Sequence, residues 1–383
     1  MLSKSIHRLG LAGVAGFLVI NAPSIKLLAG NTPVVNVVAT IATVAVLILN
    51  IVYYKIKIKN SWLICFAILS IVLFISVLSG VIAGRTDSAF LNGALRFIYI
   101  LIIFVAILLI GRRTDTRVFL KLQIIWGVVV AIGIVSGLIQ FASGQHYNTA
   151  TLPIGMSVVA SLLVLIDANF LARTRVYLLV GGVLISVLGL LSLAGRSPFI
   201  FTVIIILVLS SIRHELLLDK IKSVVKGIFA LLGVGSIGAA GVSYLGLPLS
   251  DLLLIRLTRL IEGGDEARAQ MYQQSIEIIS DYPAGLGFGG YSYLGAGNYP
   301  HNFIVEATIA GGVLAGVILS VMVAFVLWKM ISSVKTIGQS IILPMVGCVL
   351  YLVLTFLVSY SLQETYMLFA AIALGLAASK TSR

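Results

Sequence analysis

An all-α polytopic membrane fold follows from three observations on this 383-residue chain. Hydrophobic residues make up 60% of it and charged residues only 10%, against about 45–50% and about 25% in soluble domains. Apolar runs of about 20 residues, enough to cross a bilayer as a helix, recur along the whole length. The cations gather in alternate loops, the bias that orients multispan proteins.

Twelve spans are predicted, over 9–30, 33–54, 61–84, 91–111, 118–142, 153–172, 176–194, 198–212, 227–247, 303–327, 338–360 and 366–379. The first has basic flanks but no small-x-small cleavage site, and Lys26 lies inside its end, so it reads as a membrane helix and not a cleaved signal. With the N-terminus inside, Lys4, Arg8, Lys55, Lys57, Lys59, Arg112, Arg113, Arg117 and Lys121 all fall in inner segments, as do the later loop cations through Lys380 and Arg383. The net charge of +13 is therefore topological, and no nucleic-acid partner is expected. Cys65 and Cys348 lie in apolar runs and read as buried thiols. No Cys/His cluster and no Asp-x-Asp on an outer loop suggests a metal, and no cofactor is expected.

The remaining cations are Lys26, Arg85, Arg96, Arg196, Arg256, Arg259 and Arg268. An outer side so poor in lysine and rich in arginine suits an oxyanion, because the guanidinium fork grips two phosphate oxygens at once. The competing explanation is ion pairing with Asp87, Asp251, Glu262, Asp265 and Glu266.

Three segments interrupt the spans, which otherwise form a single integral membrane domain over 1–383. Arg85–Arg96 is a short outer loop with a charge at each end. Leu193–Pro198 is a hinge whose one charge, Arg196, is either functional at membrane depth or snorkels to the interface. The third is a large outer loop, 248–302. Within it Ser250–Ile261 reads as a short helix, and Gly263 and Gly264 break it. Asp265–Asp281 reads as a second helix, amphipathic through Met271, Tyr272, Ile276 and Ile279, lying on the membrane face and stopped by Pro283. Arg268 on that helix either serves the site or pairs with Asp265 at i−3. The run Gly285–Tyr291 follows no strand and faces outward, so a tight turn is expected there and not a dinucleotide loop.

His301 closes the loop where it meets the tenth span. It is either an interfacial cap or a group placed to exchange protons near neutral pH; Pro300 before it fixes the local backbone. Glu306, one turn beyond Asn302, points into the span. It is open to three roles: orienting His301, binding a sugar, or pairing with an arginine. Glu364 has the same ambiguity.

Three signatures in order resemble the bacterial O-antigen ligase and polymerase superfamily of Wzy-type membrane glycosyltransferases. They are Leu193-Ala-Gly-Arg196-Ser197; Arg268 running into Asp281-Tyr-Pro-Ala-Gly-Leu-Gly-Phe-Gly-Gly-Tyr291; and Tyr299-Pro-His-Asn302 followed by Glu306 and Gly311-Gly312. They cover about 190–320. Ser197-Pro198 departs from the glycine the family often carries after the arginine.

The resemblance implies a GT-C-like fold with about 12 spans in a bacterial inner membrane, its site facing the periplasm and both termini cytoplasmic. It implies transfer of a glycan from undecaprenyl diphosphate to another lipid-linked repeat unit, inverting and without metal. A chain-length regulator protein is an implied partner, beside membrane lipid. By the same analogy Arg196 and Arg268 hold the diphosphate and His301 is the base. Asn302, Glu306, Tyr291, Arg96, Arg256 and Arg259 line the substrate. The alternatives are a ligase acting on lipid A-core and, from another class, a transporter of lipid-linked oligosaccharide, although no internal repeat of the transporter kind is visible.

Overall fold

The computed structural model describes residues 11–29, 60–111, 113–139, 148–166, 173–193, 197–212, 233, 266–337 and 342–378. The predicted spans 33–54 and 227–247, the predicted helix Ser250–Ile261, and Arg196, Arg256 and Arg259 lie outside them. The described residues are all-helical, without strands. The helices are α1 (Leu11–Ala29), α2 (Asn60–Ile82), α3 (Ser88–Ile110), α4 (Arg113–Val135), α5 (Asn148–Ile166), α6 (Arg173–Ser192), α7 (Ser197–Ile212), α8 (Glu266–Asp281), α9 (Gly290–Tyr293), α10 (Phe303–Ile337), α11 (Ile342–Phe356) and α12 (Tyr366–Ala378), with a 3-10 turn at Leu362–Glu364 before the last.

Ten of these coincide with ten of the predicted spans. Four segments, Leu63–Ile82, Ser88–Leu108, Asp115–Val135 and Phe303–Val334, are long and apolar enough to cross a membrane, and the others are shorter apolar helices. Several boundaries differ from expectation. The outer loop expected over Arg85–Arg96 is helical from Ser88 onward, capped by Asp87; α4 ends at Val135 and not 142; and α11 ends at Phe356 and not 360. Helix α5 begins before Pro153 and carries it inside, where the Pro153 carbonyl accepts a bond from Gln123 Nε2 at 3.2 Å. Helix α10 runs ten residues past the expected 327.

Between apolar helices in lipid, hydrogen bonds and close packing take over from the hydrophobic effect. Asn21 Nδ2 donates to Gln123 Oε1 at 2.7 Å and so ties α1 to α4. Trp126 Nε1 donates to Ser24 Oγ at 2.9 Å on the same seam. At one end of the bundle the Asp115 carboxylate accepts the Ala12 N–H at 3.1 Å. A negative charge there satisfies donors that a helix N-terminus leaves bare. The candidate site occupies the opposite end.

Helix α10 is bent at Gly311 (φ −120°, ψ 18°) and Gly312 (φ 73°, ψ 178°). The second conformation is open to glycine and almost nothing else. In an unbroken helix Val313 and Leu314 would donate to the carbonyls of Ile309 and Ala310. Those carbonyls are instead taken by Leu286 N–H and Gly287 N–H, both at 2.8 Å, and Val313 N–H goes to the Pro283 carbonyl at 3.2 Å. The glycine-rich turn thus lies backbone to backbone against the bend. A Cβ on Gly312 would meet the Pro283 oxygen at 2.5 Å, and one on Gly285 would strike the Gly312 nitrogen.

Candidate active site at one end of the bundle

The turn from Pro283 to Gly290 is fastened from several sides. Its Ala284 carbonyl accepts from Ser79 Oγ of α2 at 2.6 Å, and its Leu286 carbonyl accepts from Arg85 Nη1 at 3.2 Å. Arg85 is fully enclosed, its side chain 0% exposed. Its Nε and Nη2 each donate to Asp87 at 2.7 Å, and the guanidinium lies 4.4 Å from the Tyr293 ring centroid. For this arginine the ion-pair explanation holds. Asp87 also caps α3, accepting the Phe90 N–H at 3.1 Å. The hydrogen bonds and charge of Arg85 hold its carboxyl down at about 2.

Helix α8 forms where expected, with a different buried face. Ile278 is buried and Ile276 is 67% exposed. Ile278, Leu286, Tyr291 and Ile309 pack together, with Met271, Ile279, Ala296 and Val305 against them. The buried stripe includes Ser275, which hides its hydroxyl by donating to the Met271 carbonyl at 2.8 Å. Since Pro283 sits beside Val313, Ile278 beside Ile309 and Met271 in one cluster with Val305, α8 runs back along the first part of α10. Arg268 is ten residues before Ile278 and His301 eight before Ile309. At about 1.5 Å per residue both are brought to the same end, with Arg268 partly exposed.

The loop then returns through Tyr299 to α10. Asn302 is the helix cap: its Oδ1 accepts the N–H of Ile304 at 2.9 Å and of Val305 at 3.2 Å. The cap is therefore not His301, which stands one residue earlier with φ 54°. Among the described residues it is the one non-glycine with positive φ, a region costly for a side chain with a Cβ. Its ring packs on Tyr299 with centroids 4.4 Å apart. Burial, then the charges of Glu364 and Glu306, push the Tyr299 hydroxyl up to about 12.

Glu306 is 6% exposed, and its Oε2 accepts the Leu362 N–H at 2.7 Å. Its described bond thus goes to a backbone donor; the sequence had pointed to His301, a sugar or an arginine. Tyr291 is 1% exposed, with its hydroxyl 3.4 Å from Gln274 Oε1, a place from which it supports the loop. Arg96 is exposed on α3 and donates to Gln363 Oε1 at 3.1 Å. Glu364 is half-buried. The segments at this end thus assemble His301, Tyr299, Glu306, Glu364, Gln363 and Arg96. Tyr299 stood in the sequence beside His301 without a role of its own, and Gln363 carried no sequence signal.

The chain matches no protein-family model and no curated protein at a significant level. Fold and candidate site define a class: a protein all-helical over its described residues, with four helices of membrane-crossing length and a polar, histidine-bearing cluster built from loops at one end of the bundle.

Proposed function

We propose that this chain is a lipid-dependent glycosyltransferase, an O-antigen-type polymerase working in a bacterial inner membrane with its site on the periplasmic side. It moves a glycan from a polyprenyl diphosphate carrier to the non-reducing-end sugar of another lipid-linked repeat unit. The observation that carries the proposal is the backbone of His301. A non-glycine residue held at positive φ is the kind of outlier that clusters at functional sites, and this one is the histidine that the sequence singled out.

In the proposed step, His301 takes the proton of the acceptor hydroxyl. The hydroxyl oxygen attacks the anomeric carbon from the face opposite the diphosphate. The bond from that carbon to the diphosphate oxygen breaks, and its electron pair leaves with the lipid diphosphate. One such displacement inverts the anomeric centre. A sugar hydroxyl is a poor nucleophile and needs a positioned base, and Arg268 and Arg196 would steady the charge growing on the leaving group.

The test is product formation by purified protein with lipid-linked repeat units, comparing wild type with His301→Ala. The expected result is loss of transfer with protein level and membrane insertion unchanged. Activity within a few-fold of wild type would remove the general-base role.

A further inference from the structure

The 3-10 turn Leu362–Glu364 stands between α11 and α12 and touches both α3 and α10. It is anchored from below. Leu362 is fully buried, and its N–H is held by the Glu306 carboxylate at 2.7 Å. With that side of the turn fixed inward, the next two side chains, Gln363 and Glu364, are left half-exposed. Arg96 steadies Gln363 from α3. Ser361 steadies Glu364: its N–H and its hydroxyl lie 3.3 and 3.4 Å from Glu364 Oε2 in a capping box. Tyrosines from neighbouring segments surround the turn. Tyr99 of α3 meets Tyr366 of α12 edge-on at 6.1 Å, Tyr360 stacks on Phe356 at 4.7 Å, and Tyr299 comes from the loop that carries His301. The Glu364 carboxylate lies within electrostatic reach of Tyr299, Tyr360 and Tyr366.

We infer that this turn is the acceptor-sugar subsite, with Glu364 as the carboxylate that accepts hydroxyl protons and Gln363 beside it. The inference rests on the glycosyltransferase proposal and deepens it. A carboxylate accepts at about four positions, which suits adjacent ring hydroxyls, and tyrosine rings offer flat amphipathic walls for the C–H face of a sugar. Charge at the turn is close to balanced. Glu364 supplies one carboxylate and Arg96, on Gln363, one guanidinium, while Glu306 is buried with its Oε2 on the Leu362 N–H. A diphosphate calls for a surplus of cations, which this turn lacks, so the neutral acceptor sugar is assigned to it and the donor's charged end elsewhere. Of the two glutamates to which the sequence offered a sugar contact, Glu364 keeps it, and Glu306 is engaged on the Leu362 N–H.

The experiment uses full-length protein in nanodiscs. The lipid-linked repeat unit is donor, and the repeat-unit oligosaccharide freed from its lipid is acceptor. Glu364→Gln is expected to raise the acceptor KM roughly tenfold or more, since a hydrogen bond to a charged group is lost. The thermal stabilisation produced by donor alone should persist. Glu277→Gln removes an exposed carboxylate on α8, outside the turn, so its acceptor KM should stay within about twofold of wild type. The assignment is overturned if Glu364→Gln leaves the acceptor KM unchanged, if Glu277→Gln reproduces the full loss, or if donor stabilisation disappears in Glu364→Gln. Should Glu364→Gln not fold, Gln363→Ala leaves the cap intact and must itself raise the acceptor KM; no change there overturns the assignment. Wild type that forms no product rejects the glycosyltransferase proposal itself, before any variant is compared.

Discussion

Arg85 and Asp87 grip each other through two parallel bonds of 2.7 Å, and the same guanidinium holds the Leu286 carbonyl of a turn two hundred residues away in sequence. One buried charge therefore fixes the α2–α3 connection and the glycine-rich turn together.

Arg85→Met is expected to destabilise the protein by about 2–3 kcal/mol. That is below the full cost of breaking a buried pair, because the Asp87 partner is 35% exposed and partly screened. Asp87→Asn keeps the oxygen that caps α3 and should cost less than Asp87→Ala. The pH dependence has a definite sign. The Asp87 carboxyl sits at about 2 in the folded chain and near 4 when unfolded. A depressed carboxyl contributes stability above its unfolded value and loses it as pH falls toward the folded one. The difference between wild type and Asp87→Asn in a thermal melt should be constant above about pH 5 and shrink between about 4 and 2. A difference that grows on acidification would refute the pairing as the source of stability.

Gly312→Ala should prevent correct folding or cost at least about 3 kcal/mol, since φ 73° with ψ 178° excludes a Cβ and the Pro283 oxygen occupies its place. Gly181→Ala is the matched control. Nothing lies within 4 Å of its added Cβ, and in a helix interior alanine gains about 0.5–1 kcal/mol over glycine. Monodispersity on size-exclusion chromatography and melting temperature read both. Equal behaviour of the two variants would show that the bend is not needed.

His301→Gly separates backbone from chemistry. Glycine enters the left-handed region freely, so the variant should be no less stable than wild type while losing transfer. A melting temperature several degrees lower would mean that the ring on Tyr299 holds the loop together and that its place there is structural.

Arg268→Lys and Arg196→Lys are both expected to lose most transfer, because lysine keeps the charge but not the fork that spans two phosphate oxygens. Complementation of chain formation in cells gives the readout. Full rescue by both variants would show that charge alone is enough.

The apolar helices were legible because apolar length is a local property; four of them are long enough to cross a membrane, and the others are shorter than the runs suggested. Helix α8 was legible for a similar reason, being bounded by acids before and Pro283 after. Its buried face was not. Ile276 and Ile278 are equally apolar, and the face that turned inward is the one on which Ile278 meets Leu286, Tyr291 and Ile309, with Ser275 buried beside it and satisfied on its own helix. The sequence singled out His301 because its chemistry is rare in this chain, but not its left-handed backbone, and it did not mark the contact that Glu306 makes. The Glu306 partner is a backbone N–H 56 residues away, and a backbone donor leaves no mark in a sequence. The bend in α10 was hidden likewise. Gly311 and Gly312 permit it, but the groups that complete it belong to Pro283, Leu286 and Gly287.

That borrowed completion governs how the chain can be altered. The loop supplies hydrogen bonds that α10 cannot supply to itself, and in an apolar surrounding no water stands by to replace them. Loop and helix therefore form one unit of inheritance. A loop transplanted from another protein would leave the Ile309 and Ala310 carbonyls bare in the buried bend unless its own glycine turn, and the helix shaped to meet it, travelled too. Recombination that respects this protein's architecture must cut before α8 or after α10, and nowhere between.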